Sequence, residues 1–209
     1  MRQLRTRACC GARAGAWCLA WLIGVAALQA AAHPARSDAQ ACGSEQGADE
    51  YTTKAAFLYK FTRYTKWPES AFRERDSPLR IAVFGKDPFG AALDEALRDK
   101  RIGAHPLLRL SFPTLSELGE CHVLFVPGGS NSELQALRRH YKDQPVLIVG
   151  DSLESAEQGA LIGLYLEQSR IRFAVNVESV RSSSLELSSE LLKLAKRIEK
   201  PRAPGEGSR

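Results

Sequence analysis

The chain has 209 residues, with 29 lysines and arginines against 24 acidic residues and a formal net charge of +5. A basic balance of this kind invites a nucleic-acid-binding interpretation. Four of the arginines lie in an N-terminal segment that we expect to be removed, which leaves 25 basic residues against 24 acidic ones, about +1. The composition therefore gives no electrostatic case for a nucleic-acid partner.

Residues 1–32 have the three parts of a secretory signal peptide. The first part is basic and the second, Cys18–Ala27, is apolar; Ala30, Ala31 and Ala32 then offer a small-x-small cleavage site. The apolar run is shorter than the roughly 20 residues that a spanning helix needs, so cleavage near Ala32 is favoured over an uncleaved anchor. We expect the mature protein to be exported to the periplasm.

The rest of the chain is predicted to hold one domain without internal repeats. Residues 33–48 are rich in Ala, Ser, Gln and Gly and read as a flexible leader, and residues 200–209 have the composition of a disordered tail. Residues 49–199 are enough chain for one hydrophobic core.

Two cysteines, Cys42 and Cys121, follow the predicted signal peptide. An oxidising compartment would permit them to pair, and closing so long a loop would stabilise the fold by about 4–5 kcal/mol in the chain-entropy model. Because Cys42 falls in the leader, the pattern leaves both the pair and two free thiols open.

Short apolar strands and helical segments alternate through the first two thirds of the domain. The predicted strands are residues 79–84, 106–112, 122–126 and 145–149, and the predicted helices are residues 91–98 and 130–141. Ser130, Asn131 or Ser132 can cap the second helix. Continuous apolar strands joined by helices are typical of a parallel sheet that is covered on both faces.

The last third has a different pattern. Residues 160–166 and 171–177 are separated by only four residues, too few for a crossover helix, so they should form an antiparallel hairpin. A C-terminal helix capped by Ser188 or Ser189 would then place four apolar side chains on one face: Leu191, Leu194, Ala195 and Ile198. The predicted fold is α/β, a three-layer sandwich whose mostly parallel sheet ends in an antiparallel hairpin and a C-terminal helix.

The stretch KAAFLYKFTRYTKWPE, residues 54–69, combines five aromatic and four basic residues. At about 100° per residue, Phe57, Phe61 and Tyr64 share one narrow arc, flanked by Leu58 and Trp67. The proline after Trp67 should end the helix. A core helix is the favoured interpretation and a membrane-surface helix a weak one. Part of the aromatic stripe could instead be a partner surface.

No catalytic, cofactor or metal site is predicted. The chain has no G-x-S-x-G motif, and its four histidines have no metal-ligand spacing with Cys, Asp or Glu. His122 enters an apolar strand and is expected to be structural. The loop from Gly85 to Gly90 lacks the Lys-Ser/Thr pair that a phosphate-binding loop requires after its last glycine.

Several glycines and acidic residues follow the carboxyl ends of the predicted parallel strands, where open α/β sheets bind ligands. They are Gly85, Asp87, Gly128, Gly129 and Asp151. Free backbone N–H groups in such loops can bind an anion. Ordinary strand-to-helix turns explain the same pattern. The alternative function is therefore a periplasmic module that binds a small ligand at this rim.

The amino-acid sequence resembles the YfiR/HmsC-like family of periplasmic proteins. The resemblance is carried in order by KAAFLYKF, WPE, RIAVFGKDPFG, CHVLFV, PVLIVGD, RIRFAVN and LSSELLKLA, and it covers residues 50–198. It implies a regulator rather than an enzyme. Such a protein contacts the periplasmic sensor domain of an inner-membrane diguanylate cyclase and lowers cyclic-di-GMP and biofilm formation. An outer-membrane partner that releases the inhibition, and a homodimer, are further expectations.

The resemblance also has departures. Where family members often carry a cysteine that pairs with the one matching Cys121, this chain has Ala82, so we expect no such disulfide. The family's G-G-M-I-N-F pattern appears here as residues 159–164, GALIGL. If that strand touches the partner, Leu161 and Leu164 join Tyr64 and Trp67 as predicted partner-binding residues.

Overall fold

The computed structural model describes residues 42–198, with side chains from residue 49 onward. The predicted signal peptide (residues 1–32) and tail (residues 200–209) lie outside the described residues. Across the described part, no helix is long and apolar enough to cross a membrane.

A central sheet of eight strands organises the fold, in the order β10-β8-β7-β6-β5-β2-β4-β3. Neighbouring strands are parallel except for the pairs β3–β4 and β7–β8. Helices flank the sheet, which confirms the predicted α/β sandwich with a mostly parallel sheet and an antiparallel hairpin. The strands are β2 Leu79–Phe84, β3 Arg101–Ile102, β4 His105–Phe112, β5 Val123–Val126, β6 Leu147–Gly150, β7 Ile162–Glu167, β8 Arg170–Asn176 and β10 Lys196–Ile198. A separate two-stranded sheet pairs β1, Thr65–Lys66, with β9, Glu186–Leu187.

The described residues contain six α-helices: α1 Cys42–Tyr64, α2 Ala92–Leu97, α3 Asn131–His140, α4 Leu153–Glu157, α5 Val177–Arg181 and α6 Ser189–Leu194. Short polar side chains cap four of them. Ser130 begins α3 in a reciprocal capping box with Glu133, and Ser152, Asn176 and Ser188 cap α4, α5 and α6. These caps satisfy N–H groups that would otherwise have no partner in the first turn.

The hairpin of β7 and β8 turns through only two residues. Gln168 and Ser169 both have positive φ, 50° and 60°, the left-handed geometry that matches the twist of the flanking strands. In register, Glu167 pairs with Arg170. This tight turn places β8 beside β7, near one edge of the sheet.

Part of the hydrophobic core lies between α1 and the central strands. Leu58 and Phe61 of α1 are fully buried, as are Val123, Leu124 and Phe125 of β5. The interpretation of residues 54–69 as a core helix is therefore confirmed for the arc that contains Phe61.

Helix α1 begins earlier than expected. The leader was predicted to be flexible through residue 48, yet the backbone is helical from Cys42. No proline interrupts residues 42–64, so the sequence allows the backbone hydrogen bonds of the helix to extend to Cys42. The Gly and Ser content of this segment alone did not predict its helical backbone.

The C-terminal helix ends earlier than expected. It stops at Leu194, Ala195 is extended, and residues 196–198 form β10 parallel to β8. The predicted apolar face of Leu191, Leu194, Ala195 and Ile198 is wrong as a single face: Leu191 is buried, whereas Leu194 is 76 % exposed. Pairing with the edge of β8 gives the backbone of this segment strand hydrogen bonds that a longer helix would forgo.

Replacing Phe61 by alanine should lower the free energy of unfolding by about 3–5 kcal/mol, because a fully buried aromatic ring leaves a cavity. Urea unfolding measures the change. Leu166, which is 56 % exposed, is the control, and its alanine variant should change stability by only about 0.5 kcal/mol. Equal losses in both variants would contradict the assignment of Phe61 to the core.

Candidate partner-binding groove

An apolar groove lies where the C-terminal half of α1 meets β8 and α6. Three phenylalanine rings form its floor, with centroids 5.3–5.9 Å apart: Phe57, Phe61 and Phe173. Its walls are Tyr64, Ile171, Leu191 and Leu194. We call this site the aromatic groove; its volume is about 420 Å³.

The groove combines a rigid floor with an exposed rim. Phe61 and Phe173 are buried, Phe57 and Tyr64 are half-buried, and Leu194 stands out on the rim. Leu166 of β7 is directly opposite Ile171 in the hairpin register and therefore lies on the same sheet face. The two exposed leucines extend the apolar surface beyond the groove, and such patches mark interaction sites.

The sheet edge beside the groove is open within the described residues. Strand β10 pairs with β8 only from Ala174 to Asn176. The two-residue turn makes Glu167 and Arg170 a hydrogen-bonded pair, so by alternation the N–H and C=O of Ile171 point to the outer edge. The groove therefore offers unpaired backbone groups next to its apolar floor.

Charged side chains border the groove. The ammonium of Lys60 lies 5.4 Å from the ring centroid of Phe57. Arg172 has its Nε 3.4 Å from an Oε of Glu167, and Glu190 borders the α6 side. These groups give the groove an apolar centre and a polar rim, the usual anatomy of a protein interface.

The two aromatic residues predicted to bind a partner lie in different places. Tyr64 is in the groove wall, and its backbone carbonyl accepts a hydrogen bond of 2.8 Å from the N–H of Ser188. Trp67 is outside the groove, edge-on to His122 with ring centroids 6.4 Å apart. Its indole Nε1 is buried, and within the described residues it has no acceptor. A partner contact by Trp67 stays a prediction.

Leu161 and Leu164 require a correction. Their exposed fractions are 5 % and 0 %, because they lie just before and within β7, an inner strand of the sheet with neighbours on both sides. Neither side chain presents a surface to a partner in this structure. Both belong to the core.

Sequence reasoning missed the β8 and α6 side of the groove. The alternation in RIRFAV does place Ile171 and Phe173 on one face, and Leu191 and Leu194 are spaced by one helical turn. Those signals indicated burial. Only the position at which α6 ends shows that Leu194 is exposed.

At the carboxyl ends of the strands, Asp151 holds α1 in place. Its carboxylate accepts a hydrogen bond of 2.8 Å from the Tyr51 hydroxyl, and its other oxygen is 2.5 Å from Nζ of Lys54. The Lys54 side chain is only 3 % exposed and also pairs with Glu50. Burial and this neighbouring carboxylate raise the pKa of Tyr51. Asp151 is thus engaged within the chain.

The other predicted rim residues shape turns. Asp87 accepts a hydrogen bond from the N–H of Phe89 at 2.8 Å and pairs with Arg109. Gly85 and Gly128 have φ of 70° and 52°, which favours glycine. A Cβ on Gly129 would lie 2.8 Å from Cγ1 of Val126. These residues fit ordinary strand-to-helix turns, the alternative that the sequence also allowed for this rim.

His122 lies at the opposite, amino end of the sheet, and both of its ring nitrogens have hydrogen-bond partners. Its Nδ1 accepts a hydrogen bond of 3.0 Å from the N–H of Arg80, and its Nε2 lies 3.0 Å from the Ala71 carbonyl. The neutral ring with Nε2 protonated makes both bonds. Phe72 stacks between His122 and His105, with centroid distances of 4.7 and 3.8 Å. The prediction that His122 is structural is confirmed.

Cys121 is a free, buried thiol. Burial raises its pKa to about 12. The sequence left open both a Cys42–Cys121 pair and two free thiols; because Cys121 is free, this pair is not formed here. The side chain of Cys42 is not among those described.

The register also corrects the role of Ala82. This residue pairs with Leu124, three positions along β5 from Cys121 and hence about 10 Å away along the strand. Ala82 is therefore not the position opposite Cys121.

Metal-ligating side chains are dispersed: residues 42–198 contain no group of three His, Cys, Asp or Glu side chains that could hold a metal ion.

A family model described as YfiR/HmsC-like matches residues 51–196, well over half of the chain. The chain belongs to this family. The match runs from α1 to the start of β10 and so includes every element of the aromatic groove. The YfiR/HmsC-like family acts in the regulation of diguanylate cyclase signalling, and it is a family of regulators rather than of enzymes.

Thiol labelling tests the state of Cys121. In a Cys42→Ser variant of a chain that begins at residue 33, we expect no labelling of the native protein and one labelled thiol after denaturation without reductant, because burial protects a free Cys121. The unmutated chain should then give two labelled thiols. A count of zero in the unmutated chain would show that the cysteines are paired.

His122 should make stability pH-dependent. Burial lowers its pKa below the usual value near 6.5, so below that pH the unfolded chain binds more protons than the native one. Stability should therefore fall as the pH decreases below about 6.5. Arg80, Glu120 and His105 face this ring.

Urea unfolding at pH 7.5 and 5.5 measures the effect, with His122→Gln as the comparison. The lowered carboxyl pKa of Glu120 keeps its own titration below this window. The variant should lose less stability between the two pH values than the unmutated chain. An identical loss in both would contradict the role of His122.

Proposed function

We propose that this protein is exported to the periplasm and inhibits an inner-membrane diguanylate cyclase by binding its periplasmic sensor domain in the aromatic groove. Inhibition would lower cyclic-di-GMP and biofilm formation. An outer-membrane partner that competes for the chain would release the cyclase, and a homodimer is compatible with the same mechanism.

The observation that carries the proposal is the exposed apolar rim on a rigid aromatic floor. Leu194 and Leu166 are 76 % and 56 % exposed, and covering them would remove apolar surface from water. The floor is fixed before binding, because Phe61 and Phe173 are buried in the core. A preformed site loses little conformational entropy on association.

The groove suits a protein segment better than a small ligand. Within residues 42–198 it is open along the edge of β8, where Ile171 pairs with β7 on one side only and its outward N–H and C=O meet no second strand. A partner could therefore combine backbone hydrogen bonds with side chains placed on the phenylalanine floor. Tyr64, half-buried in the wall, is an amphipathic side chain of the type that anchors interfaces.

The alternative, a small ligand at the carboxyl rim, is less well supported. The two acidic side chains predicted there, Asp87 and Asp151, are engaged with Arg109 and Lys54. A ligand that bound through Asp151 would have to break its contacts with Tyr51 and Lys54, which hold α1 on the sheet.

Leu194→Asp tests the groove in cells. Expressed in a strain that lacks the chromosomal gene, the variant should leave cyclic-di-GMP near the level of the deletion strain, because a carboxylate would be buried against the partner without a counter-ion. Its melting temperature should change little, since Leu194 is exposed. Leu115→Asp, at a 44 % exposed leucine outside the groove, is the matched control and should restore inhibition. Full inhibition by Leu194→Asp would contradict the groove as the binding site.

Two controls separate the groove from the regulatory role. A chain without residues 1–32 should remain in the cytoplasm and fail to restore inhibition, although it folds. If deletion of the gene leaves cyclic-di-GMP unchanged in a strain that normally expresses it, the regulatory function itself is wrong.

A further inference from the structure

In the part of the chain that the structure describes, Arg138 of α3 is a half-buried cation without a counter-ion. Among the described residues, its guanidinium makes no hydrogen bond and no ion pair. It lines two adjoining cavities of about 420 and 650 Å³. A half-buried guanidinium without a counter-ion favours the binding of an anion beside it.

The absence of a side chain at Gly159 leaves the space that this guanidinium occupies. Gly159 has φ of 113°, and a Cβ at that position would lie 2.3 Å from Nη1 of Arg138. The planar group therefore packs directly against a glycine, and any side chain there would displace it. The Ser179 hydroxyl donates a hydrogen bond of 3.2 Å to the Gly159 carbonyl, which links Gly159 to α5.

The surrounding walls are held by buried hydrogen bonds. Asn176 donates to the Ala156 carbonyl at 2.7 Å and accepts from the N–H of Ser179 at 2.9 Å. Gln135 donates to the Gln158 carbonyl at 3.0 Å. The ends of α4 and α5 and one face of α3 are thus fixed around Arg138, as a preorganised site requires.

Charge distinguishes the two cavities. The smaller one carries Arg138, Arg139 and Lys142 against a single acid, Asp143. The larger one carries Arg138 against Glu157 and Glu178. An anion is therefore favoured in the smaller cavity.

The smaller cavity also has an apolar side. Val146, Ile148 and Leu161 line it, each nearly buried at the sheet surface. Its volume falls in the range of about 300–1,000 Å³ that is usual for small-molecule sites. A ligand there would meet cations at one end and aliphatic side chains at the other.

We propose that the smaller cavity binds a small organic anion whose carboxylate or phosphate group lies on the guanidinium of Arg138 and whose apolar part packs on Val146, Ile148 and Leu161. The fork of N–H donors on arginine suits both oxyanions. This site is distinct from the aromatic groove and from the carboxyl rim, and it does not depend on the proposed function.

Calorimetry on the mature chain with phenylacetate, phenyl phosphate and inorganic phosphate tests the site. At least one phenyl probe should bind saturably and more tightly than inorganic phosphate, and the two phenyl probes distinguish a carboxylate from a phosphate ligand. Arg138→Gln should weaken that binding by about tenfold or more. Arg98→Gln, at an exposed arginine outside the cavity, should bind as the unmutated chain does.

Two results would overturn the proposal: neither phenyl probe binds saturably, or Arg138→Gln binds as tightly as the unmutated chain. If inorganic phosphate binds as tightly as the phenyl probes, the assignment of the apolar side is wrong. Thermal melts report whether Arg138→Gln is folded. Should it not fold, Arg138→Lys, which keeps the charge but loses the fork, should still bind the probe more weakly.

Discussion

Helix α1 is fixed on the sheet at two points, by the buried pair of Lys54 and Asp151 and by the packing of Phe61 on Phe173. The ion pair lies at the carboxyl ends of the strands and the phenylalanine contact beside β8. Loss of Asp151 would leave a buried ammonium with only Glu50 beside it, a change that typically costs about 3–5 kcal/mol. Because Phe57 and Tyr64 are on the same helix, the position of the groove wall depends on both contacts.

This arrangement gives the two ends of the sheet and its edge different roles. At the carboxyl ends of the strands, Asp151 bonds to α1. At the amino ends, His122 is hydrogen-bonded to Arg80 and Ala71. Within residues 42–198 the edge beside β8 remains open, because β10 reaches back only as far as Ala174. A regulator that acts by contact needs an accessible surface on a stable body, and the aromatic groove provides one.

Much of this fold could be predicted from local pattern. The apolar runs predicted the parallel strands, the four-residue spacing predicted the hairpin, and Ser130 and Ser188 capped their helices as expected. The site was less predictable, because it depends on contacts between distant residues. Nothing local distinguishes Leu164, which is buried inside the sheet, from Leu194, which is exposed where α6 gives way to β10. The burial of Lys54 was equally hidden, since its partner Asp151 is 97 residues away.

Hydrogen exchange of a chain that begins at residue 33, with and without the purified periplasmic sensor domain of the proposed cyclase partner, tests the central claim most directly. The account predicts slower exchange at residues 171–173 and 189–194 in the complex, because the partner would cover the open edge of β8 and the rim of α6. Protection confined to residues 85–90, 128–132 and 150–152 would place the partner at the carboxyl rim and contradict the groove. An unchanged exchange pattern at saturating sensor domain would contradict direct binding altogether.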